Sequence, residues 1–235
     1  TKGAEVEIAT DDPSGADAWE WQDLLALDMR IGAPPDEFNA DGQDWGLPPF
    51  VPGKLRAAGY EPFIQTIRAC IRHAGGLRID HVMGLFRLFW IPFGAEPAQG
   101  AYVRLPASDL LAIVALESQR ARAVIVGEDL GTVEDETRAE LAARRILSYR
   151  LIWFEKAAPS TFPEQALSAI TTHDLPSVAG LWSGSDFEAQ RALKLAPNEA
   201  GTREIHVRVA KMTRATSRTP VSAVIARLHA SLATA

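Results

Sequence analysis

The stretch Gly76-Leu77-Arg78-Ile79-Asp80-His81 reads as a short buried strand that gives way to a loop, with a carboxylate at the point of change. The same event recurs downstream. Residues 123–126 run into Gly127-Glu128-Asp129-Leu130-Gly131, and residues 167–170 run into Thr171-Thr172-His173-Asp174. Three strands thus each deliver an acidic side chain to one edge. In a parallel α/β barrel that edge is where chemistry is done. An open doubly wound sheet gives the same alternation, but it gathers its ligand groups at one switch point. Recurrence at successive strand ends favours the barrel.

Outward from these motifs the chain alternates. Residues 60–73 carry Phe63, Ile64, Ile67 and Ile71 at the spacing of a helix packed on one side. Residues 108–120 repeat this with Leu110, Leu111, Val114 and Ala115, with Ser108 as the expected cap. A third helix is expected over 134–144 and a strand over 148–154. This order predicts parallel strands joined by right-handed helical crossovers. Helices are expected over 186–195, 202–213 and 221–232. The first fifty residues are different, with Asp11-Asp12-Pro13-Ser14-Gly15, two Pro-Pro pairs and several glycines, which exclude a long regular element. Aromatic Phe38, Trp45 and Phe50 argue that this stretch is ordered. The expected organisation is one partial catalytic domain over 1–235. It comprises a loop-rich segment over 10–60, core βα units over 60–175 and a helical segment over 176–235.

Composition narrows the function classes. The chain has 235 residues, enough for a sizeable core, with 47% hydrophobic and 23% charged residues. Its 24 basic and 30 acidic side chains leave a net charge of −6 without a basic cluster, so no nucleic-acid footprint is visible. No run approaches the ~20 apolar residues of a membrane span. Cys70 is the single cysteine, read as a core residue; one cysteine excludes an internal disulfide and is compatible with a reducing compartment, hence the cytoplasm. Thr1 stands where a natural start carries Met, so the chain is expected to be cut from something longer.

Retaining cleavage of a glycosidic bond needs two carboxyl groups about 5 Å apart in opposite protonation states. Arg78 shares a strand face with Asp80 and would hold it ionised, as a nucleophile requires. Glu128, after an apolar strand and beside the anion Asp129, would be pushed toward its protonated form, as a general acid requires. Asp174 would stabilise the positive character that develops on the sugar. Each motif taken alone has a plainer reading. Arg78 and Asp80 could be a structural ion pair, Glu128 and Asp129 a helix cap, and Asp174 the N-cap of a helix starting at Leu175-Pro176. Asp, His and Glu also ligate divalent ions, but no His-x-x-x-His or cysteine pair supports a zinc site, and no metal is expected.

The string Arg78-Ile79-Asp80-His81-Val82-Met83-Gly84-Leu85-Phe86, continuing to Phe89-Trp90-Ile91-Pro92, resembles the amylomaltases, or 4-α-glucanotransferases, of glycoside hydrolase family 77, relatives of the α-amylases. Glu128-Asp129-Leu130-Gly131 resembles the family's acid/base motif, and Thr172-His173-Asp174 its third acidic motif. The loop from Gly32-Ala33-Pro34-Pro35-Asp36 through Gly42-Gln43-Asp44-Trp45-Gly46-Leu47-Pro48 resembles a segment that separates amylomaltases from amylases.

This resemblance implies an α/β fold, part of a TIM (β/α)8 barrel covering about strands 3 to 7, with extra helices after the last motif. It implies Asp80 as nucleophile, Glu128 as acid/base and Asp174 as stabiliser. Arg78 would position Asp80 and His173 would contact the donor sugar. Asp36, Phe38 and Trp45 are candidate substrate contacts, with Phe38 and Trp45 as aromatic platforms or core residues. Trp90 and Trp182 are read as packing residues. The implied reaction moves a segment of an α-1,4-glucan or maltooligosaccharide to an acceptor sugar without a cofactor. An α-glucan hydrolase and a noncatalytic glucan-binding remnant are the alternatives. The family's Asp-Leu-Ala-Val segment is not matched by Ala4-Glu5-Val6-Glu7-Ile8-Ala9, and the family's C-terminal Pro-Gly stretch is missing. Incomplete at both ends, the chain alone is expected to be weakly active or inactive.

Overall fold

The computed structural model describes residues 3–6, 13–35, 41–131, 133–172, 175–194 and 197–235. The candidate residues Asp36, Phe38, His173 and Asp174 lie outside them. The chain divides into two compact units, Thr1–Ser148 and Tyr149–Ala235.

In chain order the first unit holds β1 (Gly3–Val6), α1 (Ala16–Glu20), β2 (Met29–Ala33), β3 (Gln43–Asp44), α2 (Pro52–Ala57), α3 (Glu61–Ile71) and β4 (Gly76–Ile79). It continues with β5 (Arg87–Pro92), β6 (Ala101–Arg104), α4 (Ala107–Ala121), β7 (Val124–Gly127) and α5 (Asp135–Ala143). Strands β1, β4 and β7 form a parallel sheet with β4 central, in a register that sets Ile79 opposite both Val6 and Gly127. Leu147 adds a parallel bridge to Val126. Helix α3 buries Phe63, Ile67 and Ile71, and α4 buries Leu110, Leu111 and Val114. Both pack into one core with Leu77, Ile79, Val82, Leu85 and Ile125.

Two details of α4 differ from the sequence reading. Its N-cap is Pro106 with no side-chain cap, and Ser108 lies inside the first turn. Its fourth buried position is Glu117 rather than Ala115, because Arg68 of α3 grips that carboxylate through two bonds of 2.9 Å and Arg120 adds a third at 2.7 Å. An ion pair with every oxygen engaged lets a charged side chain occupy a core position. Cys70 is half-buried and packs against the same core.

A second sheet was not anticipated. Strands β3, β2, β5 and β6 pair antiparallel, in that order. It arises inside the stretch read as loop and inside the segment between the first acidic motif and the next helix. Among the described residues the strands of this unit form these two sheets, and no closed barrel is formed.

The second unit holds β8 (Ser148–Leu151) apart from its first residue, β9 (Ala166–Ala169), α6 (Val178–Ser183), α7 (Ser185–Ala192), α8 (Glu199–Thr213) and α9 (Val221–Leu232). β8 and β9 form a two-stranded sheet. Its own core gathers Ile152, Trp153, Ile170, Leu181, Val209, Val224 and Leu228. Trp182 packs against that core and stacks on His206, with ring centroids 4.5 Å apart. The Ser177 side chain caps α6 by accepting from Gly180 N–H. No helix among the described residues is long and apolar enough to cross a membrane.

Candidate functional site

Register places the first two carboxylates side by side. Ile79 of β4 pairs with Gly127 of β7, so the next residue on each strand, Asp80 and Glu128, leaves the same edge of the parallel sheet. Glu128 N–H donates to Ile79 C=O (2.9 Å) and Val82 N–H to Glu128 C=O (3.0 Å), carrying the ladder one step past the strands. Neighbouring strands lie about 4.8 Å apart, the scale on which a retaining pair operates.

Gly127 makes this edge possible. A Cβ there would lie 2.8 Å from Val82 Cγ2 and 3.2 Å from Ile146 Cγ2, inside the core that supports the two carboxylates.

The two groups have different surroundings. Arg78 forms an ion pair with Asp80, and both side chains are largely shielded from solvent. Glu128 accepts from the backbone N–H of His81 (3.0 Å) and of Leu130 (2.6 Å). Burial is the largest influence on Glu128 and pushes its carboxyl upward. The Leu130 N–H opposes this, the Asp80 charge adds to it, and the net shift is upward.

The neighbouring anion therefore differs from the one read in the sequence. Asp129, expected to act on Glu128, is buried and turned to Arg138 of α5 at 3.1 Å, where it ties the loop to the helix that follows. Helix α5 has Glu134 as its N-cap residue without a side-chain cap, so neither Glu128 nor Asp129 caps it.

His81 is a member of the site that the sequence reading passed over. Its φ of 41° and ψ of 61° put it in the left-handed region, which turns the chain sharply after Asp80 and aims its N–H at Glu128. Burial holds its imidazole below the ordinary range, toward the neutral form. The edge of its ring meets Trp45, with centroids 5.3 Å apart and planes at 76°. A histidine directly after a carboxylate carries no periodic signal, so only the backbone geometry reveals it.

Trp45 reaches this position through the antiparallel sheet. Its N–H donates to Ile31 C=O (2.9 Å), Ile31 N–H donates to Leu47 C=O (2.8 Å), and its indole N–H is held by Gln43 Oε1 (2.8 Å). Gly46, at φ 74°, lets the loop turn back beside it. The Arg30–Asp44 ion pair (2.8 Å) fastens the same corner. Of the sequence candidates, the structure therefore brings together Arg78, Asp80, Glu128 and Trp45. Trp90 lies half-buried on β5, opposite Ile31. Among the described residues no three His, Cys, Asp or Glu side chains cluster so as to hold a metal ion.

A family model described as 4-alpha-glucanotransferase matches residues 7–234. The chain belongs to the 4-alpha-glucanotransferase family. The 4-alpha-glucanotransferase of Mycobacterium tuberculosis (strain CDC 1551 / Oshkosh) is 50% identical over 196 residues, 79% of this chain and 27% of that protein. That of Haemophilus influenzae is 46% identical over 189 residues, 78% of this chain and 27% of that protein. The crystal structure of amylomaltase from Corynebacterium glutamicum superposes with a TM-score of 0.81 at 37% identity, covering 91% of this chain and 33% of that one. Amylomaltase from Streptococcus agalactiae, solved with acarbose, shares the fold at a TM-score of 0.77 and 20% identity, covering 98% of this chain and 46% of that one. The chain thus spans about a quarter to a half of the length of these 4-alpha-glucanotransferase family members.

Proposed function

We propose that this chain supplies the catalytic carboxylates of a 4-α-glucanotransferase acting on α-1,4-glucans or maltooligosaccharides, and that it corresponds to about strands 3 to 7 of a (β/α)8 barrel. The observation that carries the reading is the pair Asp80 and Glu128, on adjacent strand ends in opposite electrostatic settings. Ionised Asp80 attacks the anomeric carbon while the carboxyl of Glu128 gives its proton to the departing glycosidic oxygen. A glycosyl ester on Asp80 results. The hydroxyl of an acceptor sugar then gives its proton to Glu128 and attacks the same carbon, releasing Asp80. Two inversions give retention, and no cofactor takes part.

Family membership and the matching motifs support the remaining roles, with Asp174 as stabiliser, His173 as donor-sugar contact, Asp36 and Phe38 as loop contacts, and Arg78 as the group that positions Asp80. Trp45 supports transfer over hydrolysis, since an exposed ring against His81, the residue after Asp80, favours an acceptor sugar face over water. The single cysteine suits a cytoplasmic location.

Incubation with maltotriose tests the proposal. Slow formation of glucose together with maltodextrins longer than the substrate is expected, and Asp80→Asn should abolish it while maltooligosaccharide binding persists. Product lengthening is scored rather than rate, so slow turnover suffices. Products that only shorten, or an Asp80→Asn protein with unchanged turnover, would overturn it.

A further inference from the structure

We propose that the cleft between the β5–β6 hairpin and α5 is a second saccharide-binding subsite, distinct from the carboxylate pair, that holds an extended α-glucan next to it. The cleft measures about 710 Å³, and Met83, Arg87, Tyr102, Arg104, Glu134 and Thr137 are among its walls. Ligand sites for small molecules occupy about 300–1,000 Å³.

The strands build one wall. Arg87 lies opposite Arg104 and Phe89 opposite Tyr102, so all four side chains share a face of the hairpin. Phe89 meets Tyr102 edge-on at 5.1 Å, and Arg87 lies over the Tyr102 ring at 4.5 Å while holding Glu134, the N-cap residue of α5, at 3.0 Å. Tyr102 still exposes 49% of its surface. The ring is thus fixed before any ligand arrives, which lowers the ordering cost of binding.

The chemistry of the lining selects the ligand class. Two guanidinium groups are mixed with the carboxylates of Glu134, Glu136 and Glu140, so the cleft collects neither anions nor cations. Fixed donors and acceptors of both kinds around an aromatic ring suit a neutral polyhydroxylated chain with apolar faces. The cleft also adjoins the catalytic edge. Met83, one of its walls, belongs to the turn of residues 82–85 that directly follows His81. The identity of the sugar rests on the glucanotransferase reading; the site itself rests on the cleft.

Calorimetric titration with maltoheptaose separates the two. The parent protein should bind at two classes of site. Tyr102→Ala should weaken one class by about tenfold, the loss expected for about 1.4 kcal/mol of ring contact, and keep the class that Trp45→Ala removes. Arg104→Ala, at an exposed position, should weaken the same class as Tyr102→Ala by a few fold. Isotherms of both cleft variants that match the parent would overturn the subsite while leaving the glucan reading standing. Absence of maltoheptaose binding in the parent would overturn the glucan reading and the subsite together.

Discussion

At the residue scale the proposed mechanism rests on the contrast between Asp80, ion-paired with Arg78, and Glu128, shielded by burial. The upward shift of Glu128 has consequences of definite sign. Its proton persists above the ordinary value of 4.5, so the alkaline limb of the pH–rate profile moves up. Glu128→Gln should lower transfer about 10²–10⁴-fold and remove that limb for a glycosyl fluoride donor, which needs no proton to depart. Stability carries the same sign. Below 4.5 folded and unfolded states both keep the proton. As pH rises past 4.5 the unfolded Glu ionises first, and the fold loses stability until pH passes the raised folded value. Urea midpoints should therefore show Glu128→Gln gaining on the parent between pH 4 and pH 8. A constant difference across that range would contradict the shift.

At the element scale the antiparallel sheet connects the Pro-rich loop to the carboxylates. β3 approaches β2 so closely that a Cβ on Gly32 would lie 1.9 Å from the Gln43 carbonyl oxygen. Gly32→Ala should therefore break the β2–β3 pairing, lower stability by roughly 1–3 kcal/mol, and free Trp45 from His81. A loss of the ring-current shift on His81 in proton spectra, with weaker acceptor binding, is the expected result; an unmoved His81 resonance would show that another contact places Trp45. This sheet also marks where sequence reading stops. β4, β7 and their helices were legible because each element repeats an apolar period within its own short window, and strand ends place Asp80 and Glu128 directly. The antiparallel sheet has strands of two to six residues. Its β2–β5 register pairs Ile31 with Trp90 across 59 positions of sequence, and no local pattern specifies such a partner. The role of His81 was hidden for the same reason, since it acts through its backbone. The partner of Asp129 was hidden because Arg138 lies nine residues on, in the helix that follows.

At the scale of the whole molecule, each compact unit carries its own acidic motifs on its own core. Asp80 and Glu128 belong to the first, with its core around Ile67, Leu77 and Ile125, while the motif at Asp174 belongs to the second, with its core around Trp153, Val209 and Leu228. Within the second unit Pro176 C=O is a shared acceptor. The Trp153 indole N–H (2.9 Å) and the Thr171 hydroxyl (3.1 Å) both donate to Pro176 C=O, and Ser177 caps α6 immediately after. Stabilisation of a developing cation depends on groups already in place rather than on groups recruited during the reaction. A carboxylate in this role acts only while the sugar carries positive character, on both the formation and the breakdown of the Asp80 ester. Asp174→Asn keeps the side-chain shape and removes the charge. It should lower kcat about 10²–10³-fold and slow both half-reactions, with KM for maltotriose and the thermal midpoint little changed. Single-turnover measurements with an activated donor resolve the two steps. An Asn variant slowed in one half-reaction only, or within threefold of the parent in both, would remove Asp174 from the mechanism.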